Sequence, residues 1–497
     1  MAALLARLAT RASANSDAIA ITVADQHTSY AQLWQHSRLV AEALREKGLQ
    51  PGDRVVVMLP NSSAAAAAIY GCWIAGAVAV PISPQSALRE VQGFVRHSDA
   101  RLLLHEGTDS RAADLRDAGC ALVAVSSPTE PTRGHASIPS FEPDSQTLAM
   151  LLYTSGTSGR PKGVMITHHN LEANTAAIVD YLGLSPADSV LSVLPFHYSY
   201  GSSVLHTHLW AGARVVLEPN LLFPQTIVDT LVREHVTGFS GVPSTYELLL
   251  RQTHIPADQL GSLRYLTQAG GAMGIPLIKR VRSSFPKAAL FVMYGQTEAT
   301  ARISYLPPQL LEHKPGSVGF PVKGLEVQLR REGGLEATES GPGEIWVRGP
   351  SIMQGYWRDQ ETTGTVLREG WLNTGDLGYR DADGCLYVVG RRSDMIKTGA
   401  HRVHPAEVEE VLLELPGVAE AAAVGVEDDL LGESIKVCIV PQAGAVLTLN
   451  AVKAHCRSRL ASHKVPKHLQ IVASLPKTSS GKLMRASLRA SVPRTST

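Results

Sequence analysis

The sequence has no excess of charge of either sign, since its 497 residues include 46 lysines and arginines and 45 aspartates and glutamates. This balance gives no electrostatic reason to expect a nucleic acid as partner. Paired cysteines are missing too. The five cysteines stand apart, without a CxxC pair, at Cys72, Cys120, Cys385, Cys438 and Cys456. The pattern indicates reduced thiols in a cytoplasmic protein and no zinc site.

A long uninterrupted apolar run is also absent. Residues 64–82 are alanine-rich and uncharged, but Gly71, Gly76 and Pro81 interrupt them. We therefore predict a buried helix that leads into a strand, and no integral membrane association. The N-terminal residues carry two arginines without an adequate apolar core, so they predict an amphipathic helix rather than a secretory signal. A transit peptide stays an alternative.

Strand-like and helix-like segments alternate along roughly the first 390 residues. A helical pattern at Ile275–Ser284, for example, is followed by an apolar strand at Ala289–Met293. This alternation predicts an α/β fold, with parallel-type sheets covered by helices. Between residues 324 and 350 the pattern changes to short β runs with turns. These runs predict a small β subdomain that closes the large N-terminal domain.

The length exceeds what one hydrophobic core normally supports, so a second domain is expected. From residue 394 onward an amphipathic helix at Pro405–Leu415, strands at Val418–Val424 and Lys436–Val440, and a helix at Asn450–Leu460 predict a smaller α+β unit. We assign residues 1–393 to the N-terminal domain and 394–497 to a mobile C-terminal domain. No Pro/Gly-rich linker separates them, so the hinge must be very short.

The stretch Tyr153–Gly163 concentrates hydroxyl side chains, glycines and two cations within eleven residues. Glycines let backbone N–H groups approach a phosphate, and the hydroxyls and cations add donors and charge. Apolar strands at Leu148–Tyr153 and Val164–Thr167 flank the stretch, which argues against a flexible linker. It is not a Walker loop, because Pro161 stands where the second glycine of that loop belongs. A phosphate-binding loop is the prediction.

Tyr153–Gly163 resembles the signature loop of the adenylate-forming enzymes, which include acyl- and aryl-CoA synthetases, stand-alone adenylation enzymes and firefly luciferase. Four further motifs follow in the order of that family: Tyr-Gly-Gln-Thr-Glu at 294–298, Gly-Trp-Leu-Asn-Thr-Gly-Asp at 370–376, Gly-Arg-Arg-Ser-Asp-Met-Ile-Lys at 390–397 and Pro-Lys-Thr-Ser-Ser-Gly-Lys at 476–482. Together they cover nearly the whole chain.

Activation of a carboxylate by ATP needs positioning and charge stabilisation more than covalent catalysis. The triphosphate is assigned to Thr154, Ser155, Gly156, Thr157, Ser158 and Lys162. Glu298 offers Mg²⁺ a hard oxygen ligand, with Thr154 as a second metal candidate, and Thr297 offers the α-phosphate a hydroxyl. The alternative for the 294–298 motif is that it only caps a helix starting near Glu298.

The remaining nucleotide residues follow from the motifs. Asp376 suits the ribose hydroxyls as a bidentate acceptor, although an aspartate after glycine often only closes a turn. The resemblance implies that Tyr294 stacks on adenine, with Gly271, Ala272 and Gly295 beside it. Arg391 would add a donor from the hinge.

The resemblance also implies the residues that act on the acyl group. Lys482 lies where the family has its adenylation lysine, although an exposed lysine is usually just solvated. Asp394 matches the hinge position about which the small domain rotates. His197 lies in a segment similar to the acyl site of luciferases and aryl-CoA ligases, where it would donate to the substrate carboxylate; a buried structural histidine is the alternative. The predicted acyl pocket consists of His197, Tyr198, Ser240, Gly241, Ala269, Gly270 and Gln296.

Lys397 begins the loop used in the second half-reaction, and here the sequence departs from the family. Ala400 occupies the usual glycine position, with Gly399 just before it. A Cβ there could crowd a pantetheine arm, which leaves the thiol acceptor open. The clusters His168/His169 and His206/His208 lack further ligands and are interpreted as structural.

The sequence thus predicts an ATP- and Mg²⁺-dependent ligase that forms an acyl-adenylate and then a thioester. Coenzyme A is the expected acceptor, and the phosphopantetheine of a carrier protein is the alternative. A catalytically silent relative is disfavoured by the presence of Lys482, Glu298 and Asp376. The segments expected to wall the acyl pocket contain no Asp or Glu. We therefore expect an acid without an α- or β-amino group and with an apolar tail.

Overall fold

The structure, a computed structural model, describes residues 3–107, 114–125, 144–155, 161–218, 223–331, 342–399, 401–428, 431–477 and 483–489. Four predicted site residues, Gly156, Thr157, Ser158 and Lys482, lie outside these ranges, as does Ala400.

The helices, numbered in chain order, are α1 (Ala3–Ala14), α2 (Tyr30–Glu46), α3 (Ser63–Ala75), α4 (Leu88–Ser98), α5 (His168–Leu182), α6 (Ser199–Ala211), α7 (Pro224–Arg233), α8 (Pro243–Gln252), α9 (Ile275–Ser284), α10 (Gln360–Val366), α11 (Pro405–Leu413), α12 (Leu449–Arg457) and α13 (Arg485–Leu488). Short 3₁₀ turns lie at Asp114–Ala118, Thr297–Ala299, Pro308–Leu310, Arg392–Asp394 and Ser462–Lys464.

The strands, in the same order, are β1 (Ile19–Val23), β2 (Gln26–Ser29), β3 (Arg54–Met58), β4 (Val78–Pro81), β5 (Ala100–Glu106), β6 (Ala121–Val125), β7 (Leu148–Ser155), β8 (Pro161–Thr167), β9 (Ser189–Ser192), β10 (Arg214–Leu217), β11 (Gly238–Gly241), β12 (Tyr265–Gln268), β13 (Ala289–Tyr294), β14 (Ser304–Leu306), β15 (Ser317–Pro321), β16 (Glu326–Arg330), β17 (Gly343–Arg348), β18 (Gly355–Tyr356), β19 (Leu367–Arg368), β20 (Trp371–Arg380), β21 (Leu386–Arg391), β22 (Ile396–Thr398), β23 (His401–Val403), β24 (Val418–Asp428), β25 (Gly432–Pro441) and β26 (His468–Ile471).

Two sheets build the large domain. In the first, β1, β10, β9, β11, β12 and β13 run parallel, and β14 then pairs antiparallel with β13. In the second, the order is β18-β8-β7-β4-β3-β5-β6, and the hairpin β7–β8 is antiparallel within an otherwise largely parallel sheet. The α/β class is confirmed, and the antiparallel additions show that the sheets are mixed.

The predicted β subdomain is continuous with the first sheet. Its strands β16, β17, β20 and β21 are antiparallel, and β21 pairs with β15, which pairs with β14. The ladder therefore extends from the parallel strands to β20, which carries Asp376, and to β21, which ends in Arg391. This continuity fixes their positions relative to Tyr294 at the end of β13.

The alanine-rich run forms α3, which is buried on every side. A Cβ at Gly71 would stand 2.7 Å from Val40 Cβ on α2, so glycine there permits the close approach of the two helices. The helix ends at Gly76, whose φ of 86° is the left-handed conformation typical of a helix C-cap. Among the described residues no helix is long and apolar enough to cross a bilayer.

Residues after 394 form a third sheet in the order β23-β22-β25-β24, with β26 beside β25. Helix α11 packs on this sheet through Val408 and Leu412, which are fully buried. This part has its own core, formed by Ile396, Val403, Val408, Leu412, Val418, Ala423, Ile435, Val437, Ile439, Val452 and Cys456.

Candidate active site

The hairpin β7–β8 carries the predicted phosphate loop. Thr154 pairs with Lys162 and Ser155 with Pro161, so the loop between them is closed by an antiparallel ladder. Tyr356 on β18 covers the base of this hairpin, because the ammonium of Lys162 lies 5.0 Å from the centroid of its ring. The two ends of the phosphate loop are therefore held on a rigid element.

Tyr294, Asp376 and Arg391 meet although they are far apart in sequence. The Tyr294 hydroxyl donates to Asp376 Oδ2 at 2.6 Å, and Arg391 Nε lies 3.2 Å from Asp376 Oδ1. Burial opposes charge on Arg391, yet Asp376 and Glu298 outweigh it and raise the pKa of the guanidinium. Burial, followed by the neighbouring Asp376, raises the pKa of Tyr294. The carboxylate retains lone pairs for further donors, such as a pair of ribose hydroxyls.

Glu298 lies next to this group. Its Oε1 accepts a hydrogen bond of 2.8 Å from the Tyr356 hydroxyl, and its backbone carbonyl accepts from the Met353 N–H at 2.9 Å. Thr297–Ala299 is a single 3₁₀ turn, so the motif does not cap a longer helix there. Tyr356 therefore connects Glu298 with Lys162. Sequence reasoning missed this tyrosine, because β18 has only two residues and its contact with Glu298 spans 58 positions.

Gly295 is required by its surroundings. A Cβ at this position would stand 1.9 Å from the Ala301 carbonyl oxygen and 3.0 Å from Arg302 Cα. A side chain here would therefore collide with the backbone at Ala301 and Arg302. The collision would displace the turn that carries Thr297 and Glu298.

The predicted acyl segment lies at the start of α6. Thr297 Oγ1 donates to Ser199 Oγ at 3.2 Å, which ties the 294–298 motif to that helix. The rings of His197 and Tyr198 are 4.3 Å apart, and burial lowers the pKa of His197 to about 4. The imidazole is thus neutral at pH 7 and can donate one N–H without carrying charge.

Asn61 fixes the loop before His197, and sequence reasoning missed it. Its side chain donates to the Leu194 carbonyl at 2.7 Å and accepts from the Phe196 N–H at 2.9 Å. These bonds join positions more than 130 residues apart, which no local pattern reveals.

Ser240 lies fully buried at the end of β11, where its hydroxyl accepts from Thr267 Oγ1 at 2.8 Å. The neighbouring loop turns at Gly270, whose φ is +84°, and Gln268 Nε2 donates to the Gly271 carbonyl at 2.7 Å. Further along this loop Ala272 is exposed. Ala269, Gly241 and Gln296 are the remaining residues of the predicted pocket, and Gln296 directly precedes the 3₁₀ turn Thr297–Ala299.

Lys397 and Asp394 belong to the C-terminal part. Lys397 is exposed on β22, and within the described residues no hydrogen bond or ion pair connects it with the nucleotide residues. Asp394 lies 3.4 Å from Arg485 Nε, and Arg485 binds both oxygens of Glu409 at 2.7 and 3.0 Å. The predicted hinge aspartate is thus connected to the helix that follows the Lys482 loop.

The donor set fits a magnesium ion bound mainly through phosphates. Within the described ranges no group of three or more His, Cys, Asp or Glu side chains could hold a metal by itself. Glu298 offers one carboxylate oxygen beside the one that accepts from Tyr356. Mg²⁺ characteristically takes one or two carboxylates and completes its shell with water and substrate phosphate. His168, His206 and His208 are buried, and His206 and His208 form hydrogen bonds with Tyr70 and Tyr265.

The chain belongs to the AMP-binding enzymes. The AMP-binding enzyme model matches residues 8–357, and the AMP-binding enzyme C-terminal domain model matches residues 407–482. The family resemblance and the class of enzyme predicted from the motifs, an AMP-forming acid–thiol ligase, are therefore confirmed.

Its relatives extend over nearly its whole length. The chain is 33% identical to a feruloyl-CoA synthase of Amycolatopsis sp over 96% of its own residues and 97% of the relative's. It is 33% identical to a 2-succinylbenzoate–CoA ligase of Bacillus licheniformis over 96% of its own residues and 98% of the relative's. Among solved structures, ATP-bound MatB from Rhodopseudomonas palustris superposes with a TM-score of 0.90 at 29% identity, covering 98% of both chains. O-succinylbenzoate coenzyme A synthetase from Bacillus subtilis, in complex with ATP and a magnesium ion, superposes with a TM-score of 0.86 at 30% identity. The superposition covers 97% of this chain and 98% of that structure.

Proposed function

We propose that this enzyme joins a non-amino carboxylic acid to coenzyme A in two steps, with ATP and Mg²⁺. The observation that carries the proposal is the convergence of Tyr294, Asp376, Arg391 and Glu298 beside the hairpin of Lys162. Three of these side chains come from separate strands and Glu298 comes from a 3₁₀ turn, and hydrogen bonds or ion pairs hold them before any ligand binds. Relatives named as CoA ligases support the choice of acceptor.

In the first step an oxygen of the substrate carboxylate attacks the α-phosphorus of ATP, and the bond to the pyrophosphate oxygen breaks. Asp376 accepts the ribose hydroxyls while Tyr294 lies against adenine. Thr154, Lys162 and the loop 155–158 bind the triphosphate. Glu298 and Thr154 would hold Mg²⁺, which neutralises phosphate charge when bound. Thr297 and Lys482 act on the α-phosphate, where charge develops.

In the second step the thiolate of coenzyme A attacks the acyl carbon, and AMP leaves with the electron pair of the broken acyl–oxygen bond. His197 donates its N–H to the acyl oxygen in both steps. We infer that the C-terminal domain, residues 394–497, rotates about Asp394 between the steps. Rotation removes Lys482 and brings the loop after Lys397 to the acyl group.

Pyrophosphate exchange across a panel of carboxylic acids tests the first step, with each amino acid compared against its des-amino counterpart. We expect faster exchange with the des-amino acid, because a buried ammonium without a carboxylate partner is strongly disfavoured. Faster exchange with the amino acid would contradict the proposal. Thioester formation is then compared between free coenzyme A and a holo carrier protein, and a clear preference for the carrier would replace coenzyme A as the acceptor.

A further inference from the structure

Arg302 is a buried arginine next to the predicted acyl segment, since its guanidinium lies over the ring of Tyr200 and its Cα lies beside Gly295. It is only 2% exposed and lies between the 3₁₀ turn Thr297–Ala299 and β14. Its backbone N–H donates to Asn174 Oδ1 at 3.2 Å, and its carbonyl accepts from Asn174 Nδ2 at 2.9 Å. Asn174 on α5 is itself buried. The position of this residue is therefore fixed by the backbone.

The guanidinium is not neutralised by the protein. Its Cζ lies 5.0 Å from the centroid of the Tyr200 ring, and a hydrogen bond connects it with the buried Tyr181 hydroxyl. Its Nε is buried without a hydrogen-bond partner. Within the described part of the chain no carboxylate forms an ion pair with Arg302. A buried cation and an unpaired donor are both costly, and a site that binds an oxygen acceptor is the usual reason to retain them.

Tyr200 connects this arginine with the pocket. It lies three residues after His197, and its hydroxyl is 2.8 Å from Thr267 Oγ1, which in turn donates to Ser240 Oγ at 2.8 Å. These three hydroxyls form one chain of hydrogen bonds. Among the described side chains of this chain of contacts, Arg302 is the one that buries a donor nitrogen, Nε, without any hydrogen-bond partner.

We propose that Arg302 binds an acceptor oxygen on the tail of the substrate, so that the acid carries a second carboxylate or a keto oxygen beyond its apolar portion. The proposal rests on the proposed function and names its substrate class. The segments used to predict an apolar tail end before residue 302. The tail meets Ala269, Gly270 and Gly271 along its length and Arg302 at one end. A carboxylate matches best, because it supplies both the acceptor and the missing negative charge.

The test compares pyrophosphate exchange for three series of acids over a range of lengths: simple monocarboxylic acids, keto acids and dicarboxylic acids. With the wild-type enzyme we expect kcat/KM at the best length to favour an acid with the acceptor oxygen by at least about tenfold. In Arg302→Met, which keeps an apolar stem of similar shape, this preference should disappear, a fall of at least about tenfold, because truncation of a buried charge contact carries such a penalty. The dicarboxylic and keto series show which oxygen Arg302 binds.

Arg264→Met is the matched control. Arg264 also lies over a tyrosine ring, 4.8 Å from the centroid of Tyr265, but it is paired with Asp188. Its loss should change the rates with all acids by one common factor. If Arg302→Met does not fold, Arg302→Lys replaces it, with a reduced preference expected because lysine lacks the planar fork.

A wild-type enzyme that uses the monocarboxylic series as well as the other two would overturn the inference, whatever the variants do. An Arg302→Met enzyme that is slower with every acid by the same factor would show a purely structural arginine and also overturn it. Exchange with no acid of any series would instead refute the proposed function, and the substrate inference with it.

Discussion

Individual side chains in this site act in pairs, and Tyr356 with Glu298 is the clearest case. The hydroxyl of Tyr356 orients a carboxylate that we assign to Mg²⁺. Tyr356→Phe removes this hydrogen bond while the ring stays beneath Lys162. Loss of a residue that orients a metal ligand typically lowers metal affinity 10–100-fold. We therefore expect the Mg²⁺ concentration for half-maximal exchange to rise by about tenfold or more, measured at fixed ATP.

Tyr379→Phe provides the comparison for that titration. Tyr379 is 39% exposed and stacks on Tyr387, with 4.8 Å between the ring centroids. The Mg²⁺ dependence of exchange in the Tyr379→Phe enzyme should match that of the wild-type enzyme. An unchanged Mg²⁺ dependence in Tyr356→Phe would remove Glu298 from the metal assignment.

Lys482 is the residue for which the prediction depends most on sequence. Lys482→Ala should reduce pyrophosphate exchange by roughly 10²–10³-fold or more, because no other cation is assigned to the charge at the α-phosphate. Thioester formation from supplied acyl-adenylate should be largely retained. Lys477→Ala is the control, since Lys477 pairs with Glu420 at 2.6 Å instead. Normal exchange in Lys482→Ala would rule out the assignment.

At the scale of elements, the junction between β21 and β22 is the proposed hinge. Asp394→Pro fixes one φ angle there, so it should stop the rotation while adenylation continues. We expect pyrophosphate exchange within a few-fold of the wild type and thioester formation that is nearly abolished. Asp394→Ala separates the two effects of the change, because it removes the contact with Arg485 but leaves φ free. Full thioester formation in Asp394→Pro would place the hinge elsewhere.

Buried histidines on helices α5 and α6 make the stability of the fold depend on pH. Burial lowers the pKa of His206 to about 3 and the pKa values of His168 and His208 to about 4. The folded state keeps these rings neutral, whereas the unfolded chain protonates them near pH 6.5. The free energy of unfolding therefore has its full value above about pH 6.5. It decreases as the pH falls toward about 4, by up to roughly 1.4 kcal/mol per pH unit for each histidine.

Urea unfolding between pH 4.5 and 7.5 measures this slope. His206→Gln should reduce the slope, because one buried group no longer gains a proton on unfolding. The exposed His254, changed to Gln, should leave the slope as it is. A free energy of unfolding that is flat across this range would contradict the expectation.

For the molecule as a whole, the separate core after residue 394 predicts separable units. The third sheet and α11 bury their apolar residues among themselves. We expect a fragment of residues 394–497 to unfold cooperatively on heating, followed by circular dichroism, and the fragment 1–393 to retain nucleotide binding without adenylation. A 394–497 fragment without a cooperative transition would show that its core needs the larger domain.

The sequence predicted helix α9 to the residue and the elements of the C-terminal part to within about four residues of their bounds. Helix α9 has the expected bounds, Ile275–Ser284, and α11 ends two residues earlier than expected, at Leu413. The motifs of Tyr294 and Asp376 could be recognised because each is a short contiguous pattern, and their assignment to adenine and ribose stays a prediction. Tyr356, Asn61 and Arg302 were not found, because their roles arise from contacts between distant segments. Burial without a partner, which singles out Arg302, is a property of packing and has no signature in a linear pattern.

The hydrogen bond between Tyr294 and Asp376 has a consequence for discrimination among nucleotides. A polar pocket rejects an analogue strongly when the missing group leaves a buried partner unsatisfied. Asp376 already accepts from Tyr294 and pairs with Arg391. When a nucleotide without its 2′-hydroxyl binds, the hydrogen bond from Tyr294 and the ion pair with Arg391 therefore still satisfy this carboxylate. We thus expect this enzyme to distinguish ATP from dATP by only a modest factor, measured as the ratio of their kcat/KM values in pyrophosphate exchange.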